Sequence, residues 1–322
     1  MENYLGIDVS KLSLDVCLIS KESRPLKRTF PNNQEGFNSL EKWVSKRAPT
    51  FLHVCTEATS VYDLGICSFL FKMGYKVSRV NPLVVKRFGQ MLMTRSKTDS
   101  KDSEIIAQYC QLHQPKLWKP DREEIKELKD LSHCLDSLIE DQARIKCRLE
   151  KFSLSSCAVS SQKVWKSQLR SIEQHIREVE TQIQALLASD EDLKTSQELL
   201  ASIPGLGSKS ICRFLAHIGS IESYENARQL AAHIGVTPSH KQSENSIKGH
   251  TPISKIGVAK LRKALFLPAV TAMRFNPVLR KFSERLVKNG KAKKAIVIAV
   301  MRKLIHMIYG VLKTQKPFTE KI

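Results

Sequence analysis

The spacing of apolar positions changes character along the chain, and each change predicts a different kind of element. Over 3–9, 13–19 and 25–30 the pattern predicts consecutive strands, with Leu14, Val16 and Leu18 alternating in the second. A helix is expected over 34–46, a buried-type strand at 51–56 (FLHVCT) and a helix over 61–72. One more strand at 76–80 (KVSRV) and helices near 82–93 and 100–112 close the unit. Strands first, then alternating helices and strands, imply an α/β domain with a mixed sheet.

The period then lengthens. Leu128, Leu131, Leu135, Leu138, Gln142, Ile145, Leu149 and Phe152 step by alternating threes and fours, as do Trp165, Leu169, Ile172, Ile176, Val179, Ile183 and Leu186. Each series is a heptad seam, and a Ser-rich stretch, SLSSCAVSSQK, separates them. Residues 121–190 are therefore expected as a helical hairpin or coiled coil, serving as an intramolecular spacer or a dimerisation arm. Gln142 would fix register in either case.

Beyond Ser202, IPGLGSKSICRFLAHIG reads as a helix-hairpin-helix. Gly205, Gly207 and Lys209 would bring backbone N–H groups at a helix start to a DNA phosphate. The competing reading is a tight turn between packed helices.

Charge adds a partner. The chain has 322 residues, enough for two or three domains, and a formal net charge of +20. Residues 241–322 alone hold 19 Lys+Arg against 3 Asp+Glu. So concentrated a block points to a polyanion, with counterion release as the source of affinity. Its clusters are Lys255, Lys260, Arg262 and Lys263, then Lys291, Lys293 and Lys294, then Arg302 and Lys303. A membrane surface is not expected as partner. The most apolar run, Ala295–Val300, is short and ends at Arg302 and Lys303, so no bilayer span is expected. The 8 cysteines form no C-x-x-C pair and read as reduced thiols of a cytoplasmic protein.

Candidate chemistry lies at strand ends. Asp8 closes the first strand in LGIDVSK, Glu57 closes the central one in HVCTEAT, and Asp99 and Asp102 share a helical face in RSKTDSKD. Four hard oxygen donors suit paired Mg²⁺ ions in phosphoryl transfer, although acids at a helix start also serve as caps. The segment 233–266 offers Ser239, Ser243, Ser246 and Ser254, and composition alone selects none as a nucleophile.

In addition to single motifs, their order carries a resemblance. GIDVSK at 6–11, CTEAT at 55–59, NP at 81–82, KTDSKD at 97–102 and IPGLG at 203–207 are followed by GVTP and QS within 235–243. ISKIG at 253–257, LRKAL at 261–265, FNP at 275–277, GKAKKA at 290–295 and MRKL at 301–304 complete the series. The chain resembles the DEDD-type insertion-sequence transposases, which include the Piv-type DNA invertases and are bridge-RNA-guided recombinases.

The resemblance implies a RuvC-like (RNase H-like) α/β domain over 1–118, a coiled-coil dimerisation segment over 119–195 and a mostly α C-terminal transposase domain over 196–322. It implies Asp8, Glu57, Asp99 and Asp102 as catalytic acids holding Mg²⁺ or Mn²⁺, and Ser243 as the catalytic serine. It further implies donor and target DNA, a structured non-coding bridge RNA, a homodimer assembling to a tetramer, and a bacterial cytoplasmic, nucleoid-associated location. Two positions depart from the pattern: Glu244 replaces the glycine expected after Ser243, leaving Ser246 as the alternative, and Ser103 stands where alanine commonly follows Asp102. The rival expectation is a Mg²⁺-dependent, junction-resolvase-like nuclease with water as nucleophile.

Overall fold

The computed structural model describes residues 2–20, 23–48, 51–58, 61–92, 99–153, 159–239 and 252–320. Ser243, Glu244 and Ser246 lie outside these, and Asp99 is described by its backbone alone. Two compact units result, Met1–Pro120 and Asp121–Ile322.

The first unit holds β1 (Glu2–Val9), β2 (Ser13–Ser20), β3 (Ser23–Pro31), α1 (Gln34–Ser45), β4 (Phe51–Glu57), α2 (Leu64–Lys72), β5 (Lys76–Val80), α3 (Pro82–Met91) and α4 (Asp99–His113). The sheet order is β3-β2-β1-β4-β5, antiparallel among the first three strands and parallel from β1 to β4 and β5. This is a mixed-sheet α/β domain.

Alternation assigns the two faces. Leu5, Ile7, Val16, Leu18 and Val54 pack against Leu40 and Val44 of α1 and Ile66 and Leu70 of α2. Tyr4 and Cys55 face the other way, with Ile106 and Cys110 of α4 and Val85 of α3. Gly6 lets α4 settle directly on β1: a Cβ there would stand 2.2 Å from the Ser103 carbonyl oxygen and 2.4 Å from the Ala107 nitrogen. Ser103 is itself fully buried, so only a small side chain suits the position where alanine was expected.

The second unit is helical: α5 (Glu123–Ser153), α6 (Val159–Ser189), α7 (Glu191–Ala201), α8 (Ser208–Ile218), α9 (Ala227–Ile234), α10 (Ala259–Phe275), α11 (Pro277–Lys288) and α12 (Lys293–Thr314). Helices α5 and α6 run antiparallel. Gln142 donates to Glu173 at 3.2 Å midway, and Gln162 reaches the Phe152 carbonyl near the tip. The heptad positions Leu128, Leu135, Ile145 and Ile183 are buried in the same core as Leu200, Phe214, Leu261 and Ile305. The stretch expected as a separate middle segment, 119–195, thus shares its core with the helices that follow.

One expectation is corrected. The apolar run at 295–300 continues as a 22-residue helix, Lys293–Thr314, long and apolar enough by composition to cross a membrane. Periodicity explains the misreading. Arg302 and Lys303 interrupt the apolar sequence but lie on a different face from Ile296, Val300, Leu304 and Ile308, all within the core.

Candidate functional site

The carboxylates of the first unit form a row across its sheet. Asp8 pairs in register with Asp15 of β2. On the opposite side Ile7 pairs with Thr56, one position before Asp8 and Glu57. Counting by twos from Gly6, Cys17 and Cys55 puts Asp8, Asp15 and Glu57 on the face covered by α4. Asp102 stands in the first turn of α4, which the Gly6 contact seats over the same strand. Three of the four expected acids therefore lie toward one end of one face. Among the described residues no group of three or more His, Cys, Asp or Glu side chains is close enough to hold a metal, and the side chain of Asp99 falls outside that search.

Sequence reasoning missed Asp15. Like charges directly opposite on antiparallel strands are unfavourable, and here Thr29 donates to Asp15 at 2.6 Å. The signal was present, because Asp15 shares parity with Cys17 and Ile19 in β2. The segment after Glu57 is also anchored. Asp63, fully buried, receives Arg79 Nε at 2.5 Å and Arg79 Nη2 at 3.0 Å, tying the start of α2 to β5. Beneath the row, Cys55 and Cys110 meet thiol to thiol, and that hydrogen bond together with burial pushes the Cys55 thiol up.

In the second unit the predicted basic residues separate into groups. Lys255, Lys293, Lys294, Arg302 and Lys303 line one groove of about 1240 Å³. Its α12 wall repeats with the helix: Ala295, Ile298, Ala299, Arg302, Lys303, His306 and Met307 face the groove. Lys293 and Lys294 occupy the first turn of α12, with no acid there. Cations at a helix N-terminus oppose the macrodipole, so this placement favours an anion rather than helix stability. Lys303 stacks over Phe282 at 5.1 Å. Arg228 and His306 were not anticipated; Arg228 precedes the basic block, on α9.

The groove reaches the base of the segment that carries Ser243. Pro238 and Pro252 line it, and Pro238 bridges Ile253. Ser239 N donates to Pro252 O and Ser254 N to Thr237 O, both at 2.8 Å, so a short antiparallel stem closes that segment. Gly257, at φ 138, braces the stem against α9, with space for no Cβ beside His233 O at 2.2 Å. Arg262 donates to Ile234 O at 3.0 Å and Lys255 O at 3.3 Å, holding this base together.

The remaining candidates lie elsewhere. Lys260 is exposed near the paired rings of His133 and His217, and Lys263 approaches Glu140 at 3.8 Å. Lys291 is exposed just before α12. Gly205, at φ 100, packs on Ala272, whose backbone a Cβ would meet at 2.7 Å; the turn between α7 and α8 needs it for packing. Gly207 caps α8 with open space beside it, and Lys209 pairs with Glu180 at 2.6 Å.

Comparison with known proteins gives the family. Residues 5–157 match the DEDD-type IS110 transposase family and residues 197–284 match the Transposase IS116/IS110/IS902 family. The chain is 33% identical over 328 residues to the pilin gene-inverting protein of Moraxella bovis, covering 100% of this chain and 99% of that one. It is 30% identical over 148 residues to the Insertion element IS110 uncharacterized 43.6 kDa protein of Streptomyces coelicolor, covering 46% of this chain and 35% of the other. Among solved structures, "T. thermophilus RuvC in complex with Holliday junction substrate" aligns over 37% of this chain and 100% of its own, at 15% identity and a TM-score of 0.28. The chain belongs to the IS110-type transposases, a family of DNA recombination enzymes that includes the pilin gene-inverting proteins.

Proposed function

We propose that this chain cuts and rejoins DNA with Ser243 as nucleophile and with Mg²⁺ or Mn²⁺ held by Asp8, Glu57, Asp99 and Asp102. The observation that carries the reading is the carboxylate row at neighbouring strand ends beneath the first turn of α4. The donor set suits a hard cation, because every side chain in it offers carboxylate oxygen. When bound, such a cation polarises phosphate oxygens and lowers the cost of ionising an attacking hydroxyl.

In the proposed reaction the Ser243 hydroxyl oxygen attacks a DNA phosphorus, the P–O3′ bond breaks, and the proton lost by serine is balanced by protonation of the released 3′-oxygen. Attack by a partner strand's 3′-OH on the phosphoserine reseals the DNA and restores the serine, so no ATP is consumed. The groove cations Lys255, Lys293, Lys294, Arg302 and Lys303 hold backbone phosphates beside the stem. Gly207 and Lys209 supply a second backbone contact at the start of α8. Acids and serine are supplied by different subunits of a dimer that assembles to a tetramer, with the α5–α6 hairpin as the dimerisation arm. A structured non-coding RNA pairs with donor and target DNA and reads sequence, while the protein holds backbone in the cytoplasm at the nucleoid. The inverting activity named for the Moraxella bovis relative supports DNA rearrangement as the outcome.

Strand breakage in Mg²⁺, on DNA carrying the gene's own flanks, tests the reading. Wild type is expected to cut, Asp8→Ala to lose cutting, and Ser243→Ala to bind DNA without cutting. Normal cutting by Ser243→Ala would replace serine with water as nucleophile. Breakage undiminished by chelation would remove the metal, and none under any condition would leave a nucleic-acid scaffold.

A further inference from the structure

The groove of the second unit has more apolar surface than a phosphate-binding surface requires. Phe282 and Ile298, each half-buried, lie along it together with the cations, and Val236 and Met307 are buried beneath them. A duplex shows its phosphates outward and keeps its bases stacked inside, so it would use the cations and leave Phe282 and Ile298 in contact with water. Along α12 the two kinds of surface alternate. Lys293 and Lys294 come first, then Ala295, Ile298 and Ala299, then Arg302 and Lys303, then His306 and Met307. Lys294 and Arg302 are separated by about 12 Å along the axis at 1.5 Å per residue. An anionic lipid would need charge at one end and apolar surface at the other, and that segregation is not what α12 presents. Alternation instead matches a strand whose phosphates and bases alternate.

His306 gives a second, independent sign of a ligand. Its Nε2 is buried and makes no hydrogen bond among the described residues. Arg302, Arg228 and Lys303 surround the ring, and burial with these cations disfavours its protonated form. A neutral imidazole nitrogen beside an apolar floor fits the edge of a base better than another phosphate.

We propose that this groove seats a single-stranded stretch of nucleic acid, phosphates on the cations and bases against Phe282 and Ile298. The inference rests on the reading that this unit binds nucleic acid, and it specifies the form taken: an unpaired strand rather than a duplex. Cationic grooves with stacking side chains bind single strands in this way with little regard to sequence.

Fluorescence anisotropy with the full chain in a chelating buffer tests it without any cleavage. The probes are a labelled single-stranded oligonucleotide, an abasic strand of equal length and charge, and a blunt duplex of the same sequence. The intact strand is expected to bind about tenfold more tightly than the abasic one. Lys293→Ala with Lys294→Ala weakens both strands alike and flattens their salt dependence. Ile298→Glu, and separately Phe282→Leu with its native circular dichroism verified, shrinks the difference between intact and abasic strands. Equal affinity of wild type for the two strands overturns the proposal, as does preference for the duplex, or displacement of the strand by phosphatidylglycerol vesicles. Since no metal is present, lost base dependence in a protein that still cuts DNA sinks this inference alone. Base-dependent binding by a protein that never cuts supports it and sinks the serine reaction instead.

Discussion

Gly6 of β1 lies so close beneath Ser103 of α4 that a Cβ on Gly6 would come within 2.2 Å of the Ser103 carbonyl oxygen. Backbone on both sides leaves no flexible group to yield. This contact sets the height of α4 over the sheet, and with it the position of Asp102 relative to Asp8. Gly6→Ala is expected to destabilise the α/β unit by about 3 kcal/mol, at the upper end of overpacking. Urea unfolding measures that loss, and the Mg²⁺ concentration needed for cutting is expected to rise in parallel.

Asp15 opposite Asp8 yields a prediction with two opposite signs. Removing one of two facing like charges relieves repulsion, so Asp15→Asn is expected to stabilise the metal-free chain by about 0.5 kcal/mol. If a cation occupies the row, the same change weakens its binding. Thermal melts with and without Mn²⁺ read both effects: the variant melts higher without metal and gains less when metal is added. Equal gains in variant and wild type would detach Asp15 from the metal site.

The ion pair between Asp63 and Arg79 anchors the segment that follows Glu57. With the Asp63 side chain fully buried and that of Arg79 20% exposed, losing one partner leaves a charge stranded. Arg79→Met is expected to cost about 3 kcal/mol, and Asp63→Asn added to it to recover part of that loss. Denaturant unfolding of the single and double variants checks the coupling.

Much of this architecture is legible in the sequence, and the exceptions have physical causes. The alternation of Leu14, Val16 and Leu18 locates β2, and the seam through Leu128 and Ile145 locates α5, because burial on one face imposes a period. Asp8 and Glu57 stand out because each ends an apolar strand. Long-range packing is not encoded locally. That Gly205 packs against Ala272, far along the chain, is not visible in the local IPGLG motif. Arg302 and Lys303 look like the end of an apolar run because a linear reading does not separate the groove face of α12 from its core face. Arg228 and the stem residues join the groove only through tertiary contact.

The rings of His133 and His217 meet tilted, 5.1 Å between centroids, where α5 meets α8. Burial first, then His133, Lys260 and Lys129, push His217 down to about 4, while Asp136 opposes them. The folded chain therefore keeps His217 neutral, and the unfolded chain protonates it near its ordinary value of about 6.5. Stability from this group is complete above that value and is lost as pH falls from about 6.5 toward 4, because the unfolded state binds the extra proton. Melting temperature is expected to fall between pH 7 and pH 5, and His217→Gln to reduce the fall.

The central claim is a serine-linked intermediate whose formation needs the carboxylate row. The most direct measurement is a denaturing gel of end-labelled DNA incubated in Mg²⁺ with wild type, Ser243→Ala and Asp8→Ala, followed by mass spectrometry of any protein-linked band. The account predicts a covalent adduct at Ser243 with wild type and none with either variant. Cleaved DNA with no protein-linked band, or an adduct that persists in Ser243→Ala, would contradict it.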